Sequence, residues 1–472
     1  MSTTDVPTGG PLTGASGASG SGGFAGSGGG WVGPDGRVAR TDRPVWWSNW
    51  AGNQRCRVPV LRPTTEAELC RLVARAAAQG RAVKAVGAGH SFTDIALTDG
   101  VLVDLSAYGR VLSVDRDACR VTVQAGIRLR DLSAELWVHG LALENLGDID
   151  VQSVAGATAT ATHGTGLGFR NLSSAIVGLR VVDGHGEVLE CSADREPAVF
   201  AAARAGLGAL GVLSTVTLRV VPAFHLHAVE EPRRVDEVLE DFDDLVRRHD
   251  HFEFFWVPGT GWALTKANRR NHEPPAPRPR WDEFVQDRFG PNLAFGLVNR
   301  IGTLRPSLLP RLGRLLPSAG RVEYNDRSYR VFASPRDVRF VEMEYSVPLE
   351  ATVEAVQRVR RIVGDLGHPV SFPVEVRAVR GDDITLSTAS GRDSGYVAVH
   401  MYRDMPHEPY FRRVEAALED LGGRPHWGKL HHRTAADLAP AYAGWDDFLA
   451  VREQMDPDRT FRNAYLTRVL GP

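Results

Sequence analysis

The segment "VGAGHSFTD", residues 86–94, places a reactive side chain in a loop suited to close approach. Gly87 and Gly89 lack side chains, so the backbone there can approach an anion or adopt positive φ angles. Successive amides in such a loop form an anion-binding concavity. The loop has no third glycine at the spacing of a nicotinamide-binding motif, and His90 stands where the helix of that motif would begin. We predict a phosphate-binding loop, with a structural loop histidine bonded to a nearby carbonyl as the alternative.

A second segment, "NLGDIDVQSVAGATATATHGTGLG" at residues 145–168, is dense in Gly, Ala, Ser and Thr. Such a stretch suits a flat or elongated ligand that lies along the main chain. Ser153, Thr162 and Thr165 are the candidate hydroxyl donors to that ligand. A flexible surface loop is the alternative, but the interleaved Val and Ala and the absence of charge after Asp150 argue against it.

Two candidate strands carry polar residues at alternate positions. In "FPVEVRAVR" the side chains of Glu375 and Arg377 share one face, because successive residues of a strand point to opposite sides. In "YVAVHMYR" His400 and Tyr402 share a face in the same way. If the two strands pair, all four side chains can line one polar floor. The alternative for the Glu–Arg pair is an exposed surface ion pair.

The segment "GGRPHWGKLHH", residues 422–432, contains three histidines. The spacing of His426, His431 and His432 matches no metal-binding pattern, and no cysteine or carboxylate lies in register with them. We therefore predict no metal site here. Trp427 and Lys429 are interpreted as a pocket wall and a fixed cation.

Several elements must position these residues. "RPTTEAELCRLVARAAAQG" predicts a helix that Thr65 caps, with Glu68 as the capping-box partner and Gly80 as its end. "AVKAVG" predicts the short strand that leads into the first loop, and "VVDGHGEV" predicts a hairpin. Strands and helices alternate irregularly, which predicts an α+β fold.

The character of the chain changes after residue 224. "RRVDEVLEDFDDLVRRHD" predicts one amphipathic helix, and "NRRNHEPPAPRPRW" predicts a proline-rich basic loop. From residue 339 the patterns predict strand, helix, strand and strand. A last helix in "WDDFLAVREQMDP" must end near Asp456, before Pro457.

Composition narrows the function class. A formal net charge of −2 over 472 residues argues against a nucleic-acid-binding protein. The four cysteines form no C-x-x-C pair, so we predict buried free thiols in a reducing cytoplasm. The first 30 residues are nearly all Gly, Ser, Thr, Ala and Pro, which predicts a disordered tail rather than a signal peptide. No apolar run is long enough to span a bilayer.

Seven motifs, taken in order, resemble the aldonolactone oxidoreductases, the sugar-lactone oxidase branch of the vanillyl-alcohol oxidase flavoprotein superfamily. They are "VGAGHSFTDIALTDG", "VTVQAGIRLRDL", "GLALENLGDIDVQSVAGATATATHGTG", "LGALGVLSTVTLRVVP", "PVEVRAVRGDDI", "GGRPHWGK" and "DPDRTFRNAYL". The resemblance implies a two-domain flavoprotein. It divides the chain into a disordered tail (1–40), an FAD-binding domain (41–224), a cap domain that holds the substrate (225–440) and a final segment (441–472) that returns to the FAD-binding domain.

The resemblance also implies roles for the first two segments. In this family the histidine that matches His90 is commonly bonded through its ring to the 8α-methyl group of FAD, and the surrounding loop holds the pyrophosphate. The expected cofactor-binding residues are Gly87, Ala88, Gly89, His90, Ser91, Gly147, Asp148, Ser153, Gly156, Thr162, His163, Gly164 and Gly211, with Gly208 as a further backbone contact.

The cap residues acquire catalytic roles from the same resemblance. Glu375 matches a pocket glutamate that bonds the reacting hydroxyl and can take its proton. Arg377 matches an adjacent arginine that stabilises negative charge on the reduced flavin. Lys429 matches the lysine of an H-W-x-K motif and is expected to orient substrate oxygens. His400 matches a histidine of alditol oxidase that gulonolactone oxidase lacks.

The expected activity is FAD-dependent oxidation of an aldono-1,4-lactone at its C2 hydroxyl, with oxygen reduced to hydrogen peroxide. Gly147 favours an oxidase, because glycine there leaves space for dioxygen beside the flavin. The enzyme alternatives are a dehydrogenase that uses cytochrome c or a quinone, and an alditol oxidase, although Asp148 replaces a substrate-contacting serine of that enzyme. A flavin-free sugar-binding module and a metal hydrolase are the alternatives from other classes. Membrane contact, if any, is expected to be peripheral and to involve residues 281–317.

Overall fold

The structure is a computed structural model that describes residues 43–278, 320–334, 338–368, 370 and 372–472. The predicted tail and the predicted membrane-contact segment, 281–317, lie outside the described residues.

The first helix, α1 (Glu66–Ala78), has Thr65 as its N-cap, as predicted. The Thr65 side chain accepts a hydrogen bond from the Glu68 backbone N–H at 3.2 Å. The Glu68 carboxylate accepts one from the Thr64 N–H at 2.8 Å, one residue before the N-cap that the predicted capping box would use. Gly80 follows the last turn with φ of +64°, a conformation that glycine adopts without strain. The helix therefore ends just before the next strand, β4 (Val83–Val86).

The N-terminal half contains two main sheets. A parallel sheet has the order β3-β5-β4, and an antiparallel sheet has the order β10-β9-β11-β7-β6, with two small pairs, β1-β2 and β12-β8, beside them. The predicted hairpin joins β9 and β10. The strands are β1 (Val45–Ser48), β2 (Arg55–Val58), β3 (Val60–Leu61), β4 (Val83–Val86), β5 (Val101–Asp104), β6 (Val111–Asp115), β7 (Arg120–Gln124), β8 (Leu141–Ala142), β9 (Ile176–Val182), β10 (Val188–Cys191), β11 (Val212–Arg219) and β12 (Val221–Pro222). Three further helices accompany them: α2 (Leu129–Val138), α3 (Val154–Ala159) and α4 (Pro197–Ala203).

The cap is built on one antiparallel sheet of eight strands, with the order β16-β13-β15-β14-β18-β19-β17-β20. Its strands are β13 (His225–Arg234), β14 (His251–Trp256), β15 (Trp262–Asn271), β16 (Val322–Arg327), β17 (Phe340–Pro348), β18 (Val374–Val379), β19 (Ser394–Tyr402) and β20 (Arg424–Pro425). The helices from here to the end of the chain are α5 (Val235–Glu240), α6 (Phe242–Arg248), α7 (Ser328–Phe332), α8 (Thr352–Gly364), α9 (Glu408–Glu419), α10 (Ala435–Leu438), α11 (Trp445–Met455) and α12 (Ala464–Leu470). This mixture confirms the α+β class.

Two predictions for the cap were wrong in detail. The single helix predicted over 233–250 is two short helices, α5 and α6, which meet at Asp241. The Asp241 carboxylate pairs with Arg233 on β13 at 2.8 Å, and aspartate is a poor helix former, so the chain turns there. The proline-rich loop begins later than predicted, because its first four residues, 268–271, complete the ladder of β15 with β13.

Two large hydrophobic clusters form most of the interior of the described residues. The second contains buried residues of the cap sheet and of α5, α6, α8 and α9. The first joins the antiparallel N-terminal sheet and helices α2, α3 and α4 to α11 and α12, and α11 packs on α4. The final long helix ends at Met455, as predicted, and the Asp456 carboxylate then accepts hydrogen bonds from the backbone of Thr460 and Phe461. From these contacts we infer that the last segment belongs to the N-terminal domain.

All four cysteines are free. The prediction of buried thiols is correct for Cys191, but Cys56, Cys70 and Cys119 are only partly buried. In the described part of the chain no helix combines the length and the apolar character that crossing a bilayer requires.

Candidate active site

Two cavities meet to form one elongated site. The first, with an empty volume of about 1060 Å³, is a cleft lined mostly by small residues. The second, of about 990 Å³, is a pocket lined by charged and aromatic side chains between the N-terminal half and the cap. His90, Ser91, Gln152 and Thr160 line both cavities, so the two are continuous.

The loop after β4 forms the junction of the two cavities. Its two glycines are required for different reasons. A Cβ atom on Gly87 would lie 2.1 Å from Ser153 Oγ, so only glycine lets the loop approach the start of α3. Gly89 has φ of +68°, which disfavours any side chain. The loop then reaches the cap, where the Phe92 N–H donates to the Gly428 carbonyl at 2.7 Å.

His90 projects from this loop without a hydrogen bond to its ring from any described residue. Its imidazole stacks on Trp50, with ring centroids 5.3 Å apart. Burial, together with the charges of Lys429 and Arg128, lowers the pKa of His90 to about 4. The ring is therefore neutral near pH 7 and has a lone pair available. The structure therefore does not support the alternative prediction, a structural histidine hydrogen-bonded to a nearby carbonyl.

The segment 145–168 contributes to both cavities. The Ser153 hydroxyl accepts a hydrogen bond from the Gly156 N–H at 3.2 Å and thereby caps α3 at the edge of the cleft. The other predicted cofactor residues that line a cavity are Ala88, Gly208 and Gly211 in the cleft, and Gly147, Asp148, Thr162 and His163 in the pocket.

Two residues of that segment have other partners. The Thr165 hydroxyl donates to the Phe252 carbonyl at 2.5 Å, so its predicted role as a ligand donor is wrong. Gly164 lines neither cavity, and a Cβ atom there would lie 2.2 Å from the Leu146 carbonyl. Both residues fix the segment against its neighbours.

The predicted pairing of the two polar strands is correct. β18 and β19 are antiparallel, with Glu375 opposite Ala398, so Glu375, Arg377 and His400 face the same side. All three line the pocket. The fourth predicted member, Tyr402, lies at the end of β19 and does not line it.

Arg377 is held by carboxylates on three sides. Its Nε donates to Glu253 Oε2 at 2.7 Å, its terminal nitrogen contacts Glu375, and Asp148 Oδ1 lies 3.6 Å away. Although burial alone would lower the pKa of Arg377, the facing carboxylates raise it. The guanidinium is a permanent cation in a fixed orientation.

For Glu375, in contrast, the environment favours the neutral form. Burial raises its pKa to about 8, and the nearby charges of Asp148 and Glu253 add to that effect against the opposing charge of Arg377. Its carboxyl group therefore exchanges a proton near neutral pH, as an efficient general base must.

Lys429 is positioned by main-chain hydrogen bonds on either side of it. The His426 N–H donates to the Glu344 carbonyl at 2.9 Å, and the Leu430 N–H donates to the Glu342 carbonyl at 2.8 Å. Both acceptors belong to β17, so the loop lies along that strand. Lys429 Nζ then lies 2.5 Å from Glu342 Oε2 in the pocket.

His426 and Gly428 also line the pocket, but Trp427, His431 and His432 do not. Trp427 is fully buried in the first hydrophobic cluster and donates to the Leu386 carbonyl at 2.7 Å, so it is not the predicted pocket wall. His431 bonds the Tyr465 hydroxyl, and His432 pairs with Glu415.

Among the described residues one trio, His163, Glu344 and His426, brings possible metal ligands within 4.8 Å of one another. His426 Nδ1 accepts a hydrogen bond from the Gly428 N–H at 3.1 Å, so in the neutral ring the other nitrogen carries the proton. His163 Nδ1 donates to the Gly164 carbonyl at 2.9 Å, which leaves Nε2 facing Glu344. The trio thus offers only two free ligands, fewer than a protein zinc site uses.

Sequence reasoning missed three buried carboxylates, those of Glu253, Glu342 and Glu344. The alternation in "VEMEYS" was the available signal, because it places two carboxylates on one face of β17. Aromatic side chains complete the pocket wall: Trp50, Phe92, Phe255, Phe340 and Phe372.

The cleft fits an extended cofactor such as FAD. Its walls are a cradle of backbone and small side chains, in which a Cβ atom on Gly87 or Gly211 would collide with neighbouring atoms. The wide pocket beyond His90 can take a ring system beside the charged residues. The family models agree: one described as an FAD binding domain matches residues 59–192, and one described as D-arabinono-1,4-lactone oxidase matches residues 216–469.

The chain belongs to the D-arabinono-1,4-lactone oxidase family. It is 50% identical over 430 residues to L-gulono-1,4-lactone dehydrogenase of Mycobacterium tuberculosis, an alignment that covers 90% of this chain and 99% of the relative. It is 36% identical over 434 residues to L-gulonolactone oxidase of Bos taurus, covering 90% and 98%. Alditol oxidase of a Streptomyces species is 32% identical over 435 residues, covering 90% and 98%.

The fold of this family member is also that of a solved enzyme. Cholesterol oxidase from B. sterolicum superposes with a TM-score of 0.77 at 19% identity, covering 91% of this chain and 97% of the other. Together with the match to an FAD binding domain, this superposition confirms the predicted α+β flavoprotein fold.

Proposed function

We propose that the protein uses FAD to oxidise the C2 hydroxyl of a sugar-derived aldono-1,4-lactone. One observation carries the proposal: a buried carboxyl group with a raised pKa, Glu375, lies beside the fixed cation Arg377 in a pocket continuous with the cleft of small residues. The names of the relatives support L-gulono- and D-arabinono-1,4-lactone as the first candidate substrates.

Each of the pocket residues would have its own role in the reaction. Bound FAD would supply the acceptor for the hydride that leaves the carbinol carbon. Glu375 would accept the hydroxyl proton, since its pKa matches that task. Arg377 would stabilise negative charge on the reduced cofactor, in a site where little water screens it. Lys429 and His400 would donate hydrogen bonds to the other substrate oxygens.

The electron acceptor has two candidates. Gly147 lines the pocket without a side chain, which supports access by oxygen and the formation of hydrogen peroxide. A Cβ atom there would also lie 3.1 Å from the His163 carbonyl, so glycine has a packing reason as well. The 50% identity to an enzyme named as a dehydrogenase supports cytochrome c or a quinone instead.

One experiment separates these functions. We expect anaerobic mixing of the holoenzyme with either lactone to bleach the visible flavin absorbance, and xylitol or sorbitol to do so much more slowly. The reduced enzyme is then mixed with oxygen, cytochrome c or a quinone, and the fastest reoxidation identifies the acceptor. Faster reduction by an alditol than by any lactone would contradict the proposed substrate, and negligible reaction with oxygen would exclude the oxidase.

We further propose that FAD is bonded covalently through the His90 ring. The neutral imidazole at the junction of the cleft and the pocket supports this, because bond formation requires a free ring nitrogen. His90→Ala should release its flavin on acid precipitation, whereas the wild type retains it in the pellet. His185→Ala, in the exposed turn between β9 and β10, is the matched control and should retain flavin. Flavin that stays attached in His90→Ala would contradict the assignment.

A further inference from the structure

The Glu342 side chain contacts two cations of the pocket at once. Its carboxylate is buried, with Oε2 2.5 Å from Lys429 Nζ and Oε1 3.4 Å from His400 Nε2. We propose that Glu342 is the positioning residue that holds Lys429 and His400, both charged, at the places where they bind the oxygens of the substrate. This inference rests on the proposed lactone oxidation and assigns the residue that prepares the pocket for it.

The backbone brings these three residues together. Glu342 on β17 lies directly opposite His400 on β19, which is the closest cross-strand relation in an antiparallel sheet. The loop that carries Lys429 is bonded to β17 through the Leu430 N–H and the Glu342 carbonyl. A carboxylate at this one position can therefore reach both head groups, and no other strand of the cap offers both contacts among the described residues.

Hydrogen bonding defines the charge of His400. Its Nδ1 lies 3.0 Å from the Pro373 carbonyl, which only accepts, so Nδ1 carries a proton. Its Nε2 faces Glu342, and donation there requires a second proton. Although burial alone would lower the pKa of His400, Glu342 raises it, with Glu375 adding to the effect and Lys429 opposing it. Phe340 and Phe372 supply uncharged ring contacts.

Glu342 is not itself a second base. Both of its oxygens face cations, and the charges of Lys429 and His400 lower its pKa against the effect of burial and of Glu344. A carboxylate in that state holds no proton near neutral pH and has little tendency to take one. It acts through the two cations, whereas Glu375 would act on the substrate.

The substrate-free test is the titration of His400. In holoenzyme labelled with ring-15N histidine, the His400 resonance is assigned by its loss in His400→Gln. We expect this ring to lose its second proton at a clearly lower pH in Glu342→Gln than in the wild type. Glu354→Gln, on α8 and paired with Arg358, is the matched control and should not move the titration. An unchanged His400 titration in Glu342→Gln overturns the inference.

The substrate test uses the same variants. For Glu342→Gln we expect KM for the lactone to rise about tenfold or more, because Lys429 and His400 lose their common partner. The rate of flavin reduction at saturating lactone should change less. Glu342→Asp keeps the charge on a shorter side chain and should restore part of the His400 titration. An unchanged KM in Glu342→Gln also contradicts the inference.

A failure of the proposed function can be distinguished from a failure of the inference about Glu342. If no lactone reduces the wild-type flavin, the proposed function fails, and the His400 titration still decides the role of Glu342. If Glu342→Gln does not fold with FAD, the titration is read in Glu342→Asp, where we expect a smaller shift in the same direction. The absence of any shift in that variant overturns the inference.

Discussion

Glu375 and Glu342 show how one pocket gives two buried carboxyl groups opposite properties. Glu342 faces two cations with its two oxygens, so its pKa is lowered. Glu375 contacts one cation, Arg377, which Glu253 and Asp148 also neutralise, so burial dominates and raises its pKa to about 8. Environments that move the pKa values of two acids apart are how enzymes assign different tasks to the same residue type.

A pH dependence follows for Glu375. A base must be ionised, and with a pKa of about 8 the group is mostly protonated at lower pH. The rate of flavin reduction by lactone should therefore rise about tenfold per pH unit below that value and level off above it. Glu375→Gln should be slower by about 10²–10⁴-fold and should lose this pH dependence. Anaerobic stopped-flow measurements check both, with FAD content as the control. A wild-type rate that falls as pH rises towards 8 would exclude Glu375 as the base.

At the level of single residues, the sequence predicts which side chains share one face of a strand. Glu375, Arg377 and His400 could be found because alternation on two strands assigns each a face. Glu253 could not be linked to Arg377, since 124 positions separate them and only the pairing of β14 with β18 brings them together. The error at Trp427 has a similar cause. Its neighbours His426 and Gly428 line the pocket, but its own side chain points into the core.

At the level of elements, local signals predicted those helices and turns that have local causes. The N-cap of α1 and the end of α11 before Pro457 depend on residues within one helical turn, and both were predicted correctly. The break between α5 and α6 coincides with an ion pair between Asp241 and Arg233 of the preceding strand, a contact beyond one helical turn. The order of the eight cap strands was not predicted, because non-consecutive strands such as β14 and β18 become neighbours.

The loop at residues 86–94 shows why motif and structure have to be combined. Its glycines predicted close approach, and the structure shows that the approach is to Ser153 as well as to the cleft. The same loop reaches the cap, where the Thr93 hydroxyl donates to the Trp427 carbonyl at 3.2 Å. A loop of the N-terminal half and a loop of the cap are thus hydrogen-bonded to each other beside the site. Neither contact could be inferred from residue types alone.

At the level of the whole molecule, we infer that the last segment of the chain completes the first domain. α11 follows the cap in sequence, yet its buried face packs on α4 in the first hydrophobic cluster. The buried Lys84 ammonium adds a polar link, since it donates to the Gly208 carbonyl at 3.0 Å and to the Phe461 carbonyl at 3.5 Å. Lys84 and Gly208 line the cleft, so its wall is bonded to the last segment of the chain.

This arrangement predicts that damage to α11 spreads to the N-terminal half. Phe448 is fully buried in α11, so Phe448→Ala should lower the free energy of unfolding of that domain by about 3–5 kcal/mol. In hydrogen-exchange measurements on the holoenzyme, protection should fall in α4 as well as in α11, while the cap helix α8, which packs in the second cluster, keeps its protection. Asp447→Asn, on the exposed face of the same helix, is the control and should change neither. Loss of protection confined to α11 would mean that the last segment is an appendage and not part of the FAD-binding domain.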